Sequence, residues 1–145
     1  MPEKTREAAG FFLYRLARDG QPEFLLLKNA KRGDWGVPKG HKDEEDANLK
    51  ATAMRELLEE TGLADIAVIE GFECVMEYAA RRASGGPEYR KRVTYFLARL
   101  ERGSPKLSPE HSELRWAVTA DAKKLLAFPD LVACIDKAAA LLGKT

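Results

Sequence analysis

The chain has 145 residues, of which 45% are hydrophobic and 32% charged, and its net charge is +1. That length suits a single α/β domain, expected to run over residues 1–145 with a real apolar core. A charge so close to balance excludes any global attraction to nucleic acid or membrane, so an affinity for anions has to be local.

The first residues, M-P-E-K-T-R-E, are charged and carry no apolar leader, and no stretch is long and apolar enough to span a membrane. The cytosol or the nucleus is therefore the expected location, and a monomer is the favoured state. Residues 8–16, with Phe11, Phe12 and Tyr14, read as a strand. Arg18 to Pro22 are turn residues, and 23–28, with Phe24 and Leu25 to Leu27, read as a second strand. The two form an expected hairpin whose unbroken apolar runs imply burial on both faces.

Residues 35–42, W-G-V-P-K-G-H-K, form a loop with two glycines, two lysines and a histidine. Such a loop brings backbone and cations close to phosphates, which makes Lys39, His41 and Lys42 candidate anion contacts. A helix follows, with Glu56, Glu59 and Glu60 on one side and Ala47, Ala51, Met54 and Leu58 as an apolar stripe on the other. Carboxylates one turn apart repel unless a cation lies between them, and oxygen donors at this density suit Mg²⁺ or Mn²⁺ rather than Zn²⁺. Gly62 is placed to close the helix as a left-handed cap.

The run R-E-L-L-E-E-T-G-L, from Arg55 to Leu63, resembles the second half of the Nudix box, G-x5-E-x7-R-E-U-x-E-E-x-G-U, at every position. Gly40 is the opening glycine of that pattern, but Gly40 to Arg55 is one residue longer than the box allows. The first acidic slot is thus left open between Glu45 and Asp46. With P-K-G-H ahead of the box, the chain resembles one Nudix branch in particular, the asymmetrical diadenosine tetraphosphate hydrolases.

Residues 66–75 read as one further strand, and within it lies Cys74. With Cys134 at no metal-like spacing from it, the two cysteines read as buried free thiols in a reducing compartment. Next comes a loop with five basic residues between 81 and 92, interleaved with Tyr78 and Tyr89 and centred on Ser-Gly-Gly-Pro. Basic and aromatic side chains together suit a phosphate chain with a stacked base. Residues 93–100 are the clearest strand. The segment L-S-P-E-H-S-E-L-R-W, ending at Trp116, resembles a segment of the same branch, and 114–118 reads as its strand, with Trp116 in the core. Thr119 is a candidate cap for a helix over 120–127. Pro129 starts a last helix with Leu131, Ile135, Ala138, Leu141 and Leu142 inward.

The resemblance implies a Nudix α/β/α sandwich, with a mixed sheet between the box helix and the C-terminal helices. It implies Mg²⁺- or Mn²⁺-dependent hydrolysis of diadenosine tetraphosphate (Ap4A) to ATP and AMP, a small-molecule substrate and no stable nucleic-acid partner. It also implies the site: Gly40, Glu56, Glu59, Glu60 and Glu110 around the metal, with Glu56 or Glu60 as general base. Arg55 fixes a box glutamate, Lys39, His41 and Lys91 hold phosphates, and Tyr78 and Phe128 clasp adenine. For His111 a structural role is preferred over orienting Glu110. Two alternatives stand beside this reading. One is a Nudix pyrophosphatase for RNA 5′ ends or diphosphoinositol polyphosphates, favoured by the basic 81–92 loop. The other is a silent nucleotide-binding Nudix domain.

Overall fold

The computed structural model describes residues 5–82 and 84–143; the charged start at 1–4, Ala83 in the 81–92 loop, and 144–145 lie outside the described residues. Strand β1 (Thr5–Leu16) turns back into β2 (Pro22–Asn29) as the sequence suggests, with Tyr14 opposite Phe24. The turn is closed by the Ala17 N–H, which donates to the Gln21 carbonyl at 2.8 Å, and by the Asp19 carboxylate, which accepts from the Gln21 N–H at 3.0 Å. Next in the chain come β3 (Trp35–Gly36) and β4 (Lys39–His41), the latter antiparallel to the first half of β1. On its other edge β1 runs parallel to β7 (Tyr89–Leu100), from Thr5 beside Arg90 to Tyr14 beside Arg99. Strands β5 (Ile66–Val68) and β6 (Cys74–Ala80) both pair with β7, and β8 (His111–Val118) pairs with β2, so the sheet is mixed.

The side chains of β1 alternate between two cores, which explains its unbroken apolar run. Ala9, Phe11 and Leu13 face helix α1 (Leu49–Thr61), where Ala53 and Leu57 meet them. Ala8, Phe12 and Tyr14 face the other way, toward α2 (Thr119–Leu125) and α3 (Pro129–Leu142), through Ala122, Leu131, Ile135 and Ala138. The α/β/α sandwich is thus the observed architecture. Among the described residues no helix is long and apolar enough to cross a membrane.

Five expectations need correction. The stretch 66–75 is two strands rather than one, because a turn at Glu70 and Gly71 breaks it before β6 begins. Helix α1 packs with the opposite face: Ala53 and Leu57 are buried, Leu58 is 52% exposed, and Ala47 precedes the helix, whose N-cap is Asn48. Ala53, Leu57 and Thr61 recur at i, i+4, i+8 on the side that also carries Glu60, so the sheet covers a glutamate as well as apolar groups. Of the expected stripe only Met54 reaches the core. Thr119 lies inside α2, whose N-cap is Val118 and has no side-chain capping bond. Leu141 is outward on α3.

The fifth correction is chemical. Cys74 on β6 and Cys134 on α3 form a disulfide, with Cα atoms 5.9 Å apart across a sequence separation of 60. The reducing-compartment argument drawn from free thiols loses its basis.

Candidate active site

The sheet face under α3 opens into a cleft of about 710 Å³. Register places its cations: Lys39 lies opposite Gly10, Lys91 lies beside Arg6 and opposite Tyr78, and all share the face of the even-numbered residues of β1. Burial lowers the Lys39 pKa against the pull of Glu60. Burial, followed by the charge of Lys39, pushes Lys91 down to about 8. The Lys91 ammonium stands 5.9 Å from the centre of the Tyr78 ring. Phe128, the N-cap of α3, also lines the cleft and is 43% exposed.

At the other end lie the carboxylates. Glu60 is only 5% exposed. Burial raises its pKa, and a hydrogen bond that its protonated form donates to Glu56 and the charges of Glu56 and Glu110 push it further the same way. The closeness of Gly40 to this pair is physical: a Cβ there would run into the Glu56 carboxylate. Glu110, in the turn just before β8, lines the cleft, and its backbone carbonyl accepts the N–H of Ala30 at 2.9 Å. His111 points its Nε2 to within 3.8 Å of Glu60 Oε1, with Nδ1 at 3.4 Å from Ser108 Oγ, so it touches the carboxylate Glu60 rather than Glu110. Burial lowers its pKa.

Arg55 ties this end together without facing the cleft. It donates to Glu56 Oε2 at 2.8 Å and Glu59 Oε2 at 3.1 Å. It also donates to Asp46 Oδ1 at 3.1 Å and Oδ2 at 3.0 Å, and to the His41 carbonyl at 2.8 Å. The open acidic slot is therefore filled by Asp46, whose carboxyl Arg55 holds well below the usual range, while Glu45 is exposed. The additional residue is taken up between Asp46 and the helix cap Asn48, whose Oδ1 accepts from the Ala51 N–H at 2.9 Å. Gly62 ends the helix at φ 76° with its N–H on the Leu58 carbonyl, as its position suggests.

The donors fit a hard divalent ion in kind: all are oxygens, and the buried Glu60 is held against Glu56, whose charge raises its pKa more than Lys39 lowers it. Among the described residues, however, no three His, Cys, Asp or Glu side chains already stand as a metal-holding group. Glu59 is the outlier, drawn aside by Arg55 and mostly exposed.

The structure thus brings Lys39, Lys91, Tyr78, Phe128, Glu60 and Glu110 around one cleft, with Glu56 behind Glu60. His41 is not among them. Its ring lines a smaller recess of about 240 Å³ beside Arg6 and Lys42, its Nε2 is buried without a hydrogen-bond partner among the described residues, and burial followed by Lys91 pushes its pKa down to about 4. Sequence reasoning missed three cleft residues. Trp35 forms part of the wall under the Arg115 guanidinium, 5.4 Å from its ring. Tyr95 has a fully buried hydroxyl with no hydrogen-bond partner among the described residues, and Tyr78 and Glu60 both act on it. Arg32 lies at the rim. Tyr95 carried a readable signal, since it alternates with Lys91 and Val93 on one face of the clearest strand.

A model of the NUDIX domain matches residues 4–135. A mouse protein named bis(5′-nucleosyl)-tetraphosphatase [asymmetrical] is 36% identical over 129 residues, covering 85% of this chain and 82% of that one. A Caenorhabditis elegans protein of the same name is 33% identical over 139 residues, covering 94% and 96%. Among solved structures, a binary complex of a C. elegans Ap4A hydrolase superposes with a TM-score of 0.82 at 28% identity, covering 97% of this chain and 99% of that one. With its sheet, box helix and carboxylate cluster in place and a match that runs from the first strand into the last helix, the chain belongs to the Nudix family of hydrolases.

Proposed function

We propose that this protein hydrolyses Ap4A asymmetrically, adding one water to give ATP and AMP. The observation that carries the reading is the content of one cleft, where the aromatics Tyr78 and Phe128, the ammoniums of Lys39 and Lys91, and the carboxylate Glu60 line a single volume. That sequence of groups suits a purine base, a phosphate chain and a hydrolytic centre. The curated relatives at 33% to 36% identity carry the name of this activity.

Tyr78 and Phe128 receive an adenine between them, and such stacking contributes roughly 1–3 kcal/mol per base. Lys39 and Lys91, both partly desolvated, hold non-bridging phosphate oxygens; charge-assisted bonds gain strength where water is excluded. The Tyr95 hydroxyl, otherwise unpaired, has a proton to donate to the same chain. Glu56 or Glu60 takes the proton of the attacking water. Arg55 holds Glu56 and Glu59 at fixed rotamers, so it is a positioning residue. Glu56, Glu59, Glu60 and Glu110, with a backbone carbonyl near Gly40, are the groups that would hold Mg²⁺ or Mn²⁺. The ions supply charge neutralisation and a lowered pKa for water.

The basic 81–92 loop gives no support to a nucleic-acid end as substrate. Arg90 and Arg92 pair with Glu77, and Arg81 pairs with Glu88, so much of that charge is spent within the hairpin. The test is hydrolysis of Ap4A with Mg²⁺ in ¹⁸O-labelled water, read by mass spectrometry. ATP plus AMP, abolished in Glu59→Gln, is the expected result, and the label identifies the phosphorus attacked. Two ADP molecules would refute asymmetrical cleavage, and turnover of a 5′-triphosphate RNA in place of Ap4A would refute the substrate.

A further inference from the structure

Arg32 lies on the five-residue stretch that joins β2 to β3 and is pinned at the rim of the cleft. Asn29 Oδ1 accepts the backbone N–H groups of Lys31 at 3.0 Å and Arg32 at 2.8 Å. The Asn29 N–H in turn donates to the Asp34 carbonyl at 2.8 Å. The Arg32 guanidinium is fixed as well: Nε donates to Asp34 Oδ2 at 3.0 Å and Nη2 to Asp34 Oδ1 at 3.3 Å. A guanidinium has five N–H donors. Two are spent on Asp34, and the others have no partner among the described residues.

The charge so held is felt across the cleft. It acts on Lys39 of β4, Lys91 of β7, Tyr78 of β6 and His111 of β8. Arg32 therefore adds a further cation to a volume where two ammoniums already repel, and among the described residues the one partner of its guanidinium lies two residues away on the same loop. Nothing in the fold requires a cation there, and a polyanion in the cleft would.

We infer that Arg32, oriented by Asp34, grips the phosphate chain of the substrate from the β2–β3 side of the cleft, while Lys39 and Lys91 hold it from the sheet. The inference rests on the polyphosphate reading of the cleft. A planar fork pre-oriented by a carboxylate can take two phosphate oxygens at once, which a lysine at the same place cannot. Asp34 is a positioning residue: it acts on substrate only through Arg32.

The experiment pairs two measurements. One is calorimetric binding of inorganic tripolyphosphate to the metal-free protein, and the other is steady-state hydrolysis of Ap4A with Mg²⁺. Arg32→Ala is expected to weaken tripolyphosphate about tenfold and to raise the Ap4A KM by a similar factor, with kcat changed by less than about twofold. Arg32→Lys falls between. Asp34→Ala raises KM by about threefold, and the Arg32→Ala/Asp34→Ala double variant is no worse than Arg32→Ala alone. Lys31→Ala, a neighbouring cation outside the cleft, leaves both readings unchanged. Tripolyphosphate binding that is absent from the wild type, or equal in wild type and Arg32→Ala, would overturn the inference. Arg32-dependent binding of tripolyphosphate by a protein inert toward Ap4A would uphold the phosphate grip and discard the Ap4A reading.

Discussion

The carboxylate end and the aromatic end of the cleft are built by opposite means. At the first, Arg55 gathers Asp46, Glu56, Glu59 and the His41 carbonyl, all from one short stretch of chain, into a network of bonds between 2.8 and 3.1 Å. At the second, Tyr78 and Phe128 come from β6 and the start of α3, and what joins those elements is the Cys74–Cys134 disulfide and the Lys137 ammonium on the Glu73 carbonyl. Local ion pairing fixes the groups proposed to do the chemistry, and long-range tethering fixes the aperture proposed to admit the base. Damage to one end should therefore appear in kcat and damage to the other in KM.

The largest effect belongs to Glu60. Glu60→Gln is nearly isosteric with the protonated acid that burial favours, so it should fold normally while kcat falls by about 10²–10⁴, the range for loss of a general acid–base group. Thermal melts establish the fold and steady-state kinetics the loss. Unchanged kcat would take Glu60 out of the chemistry. Opening the disulfide, by reduction or by Cys134→Ala, tests the other end. A loop of this length contributes about 4 kcal/mol in the chain-entropy model, read as a shift of the denaturant midpoint. In reduced protein that is still folded, KM should rise more than kcat falls, and the reverse pattern would break the comparison.

The same contrast decides what was readable beforehand. Between Trp35 and Leu63 the glutamates and the Gly62 cap depend on neighbours in sequence and were legible from spacing, and the Arg55 pairing and the acidic slot were legible through the resemblance to the Nudix box, whereas the Asn48 start of the helix was not. Spacing narrowed the slot to two residues, and the bond to Arg55 singled out Asp46. The rotation of the helix was not readable, because apolar residues fall on both sides, Ala51, Met54 and Leu58 on one and Ala53 and Leu57 on the other. Arg55 and Asp46 anchor the helix to β4, and Glu60 goes under it as a result. The disulfide had no local signal at a separation of 60 residues, and Arg32 looked like any loop cation until β2 and β3 placed it over the cleft. Phe128 by itself reads as a junction aromatic, and only the resemblance gave it a place against adenine.

Phe128→Ala sharpens the aromatic end by itself. Phe128 is 43% exposed, so stability should change little, while loss of one stacking partner raises the Ap4A KM by about tenfold at constant kcat. A large drop in melting temperature would show that Phe128 packs structurally instead.

The smallest expected effect is a slope, and its sign separates two carboxylates of the same network. Asp46 is held below the ordinary range by Arg55, so its contribution is present above about pH 4 and is lost as pH falls further. Glu60 is raised by burial, Glu56 and Glu110, so the folded state keeps a proton that the unfolded state has released. From about pH 4.3 upward Glu60 should therefore take stability from the metal-free protein as pH rises, by a fraction of the roughly 1.4 kcal/mol per pH unit that one proton allows, until the folded-state pKa is passed, while His41 and His111, both lowered, act the other way below about pH 6.5. Melting curves between pH 5 and 8 without metal should show this decline as the difference between wild type and Glu60→Gln, which cannot titrate. Added Mg²⁺ should also flatten or reverse it, since a cation beside Glu60 favours the charged form and so removes the reason for the retained proton. A slope that is the same in wild type and Glu60→Gln, with or without Mg²⁺, would mean that the carboxylate end is wired by Arg55 alone and that Glu60 carries no charge the ion could answer.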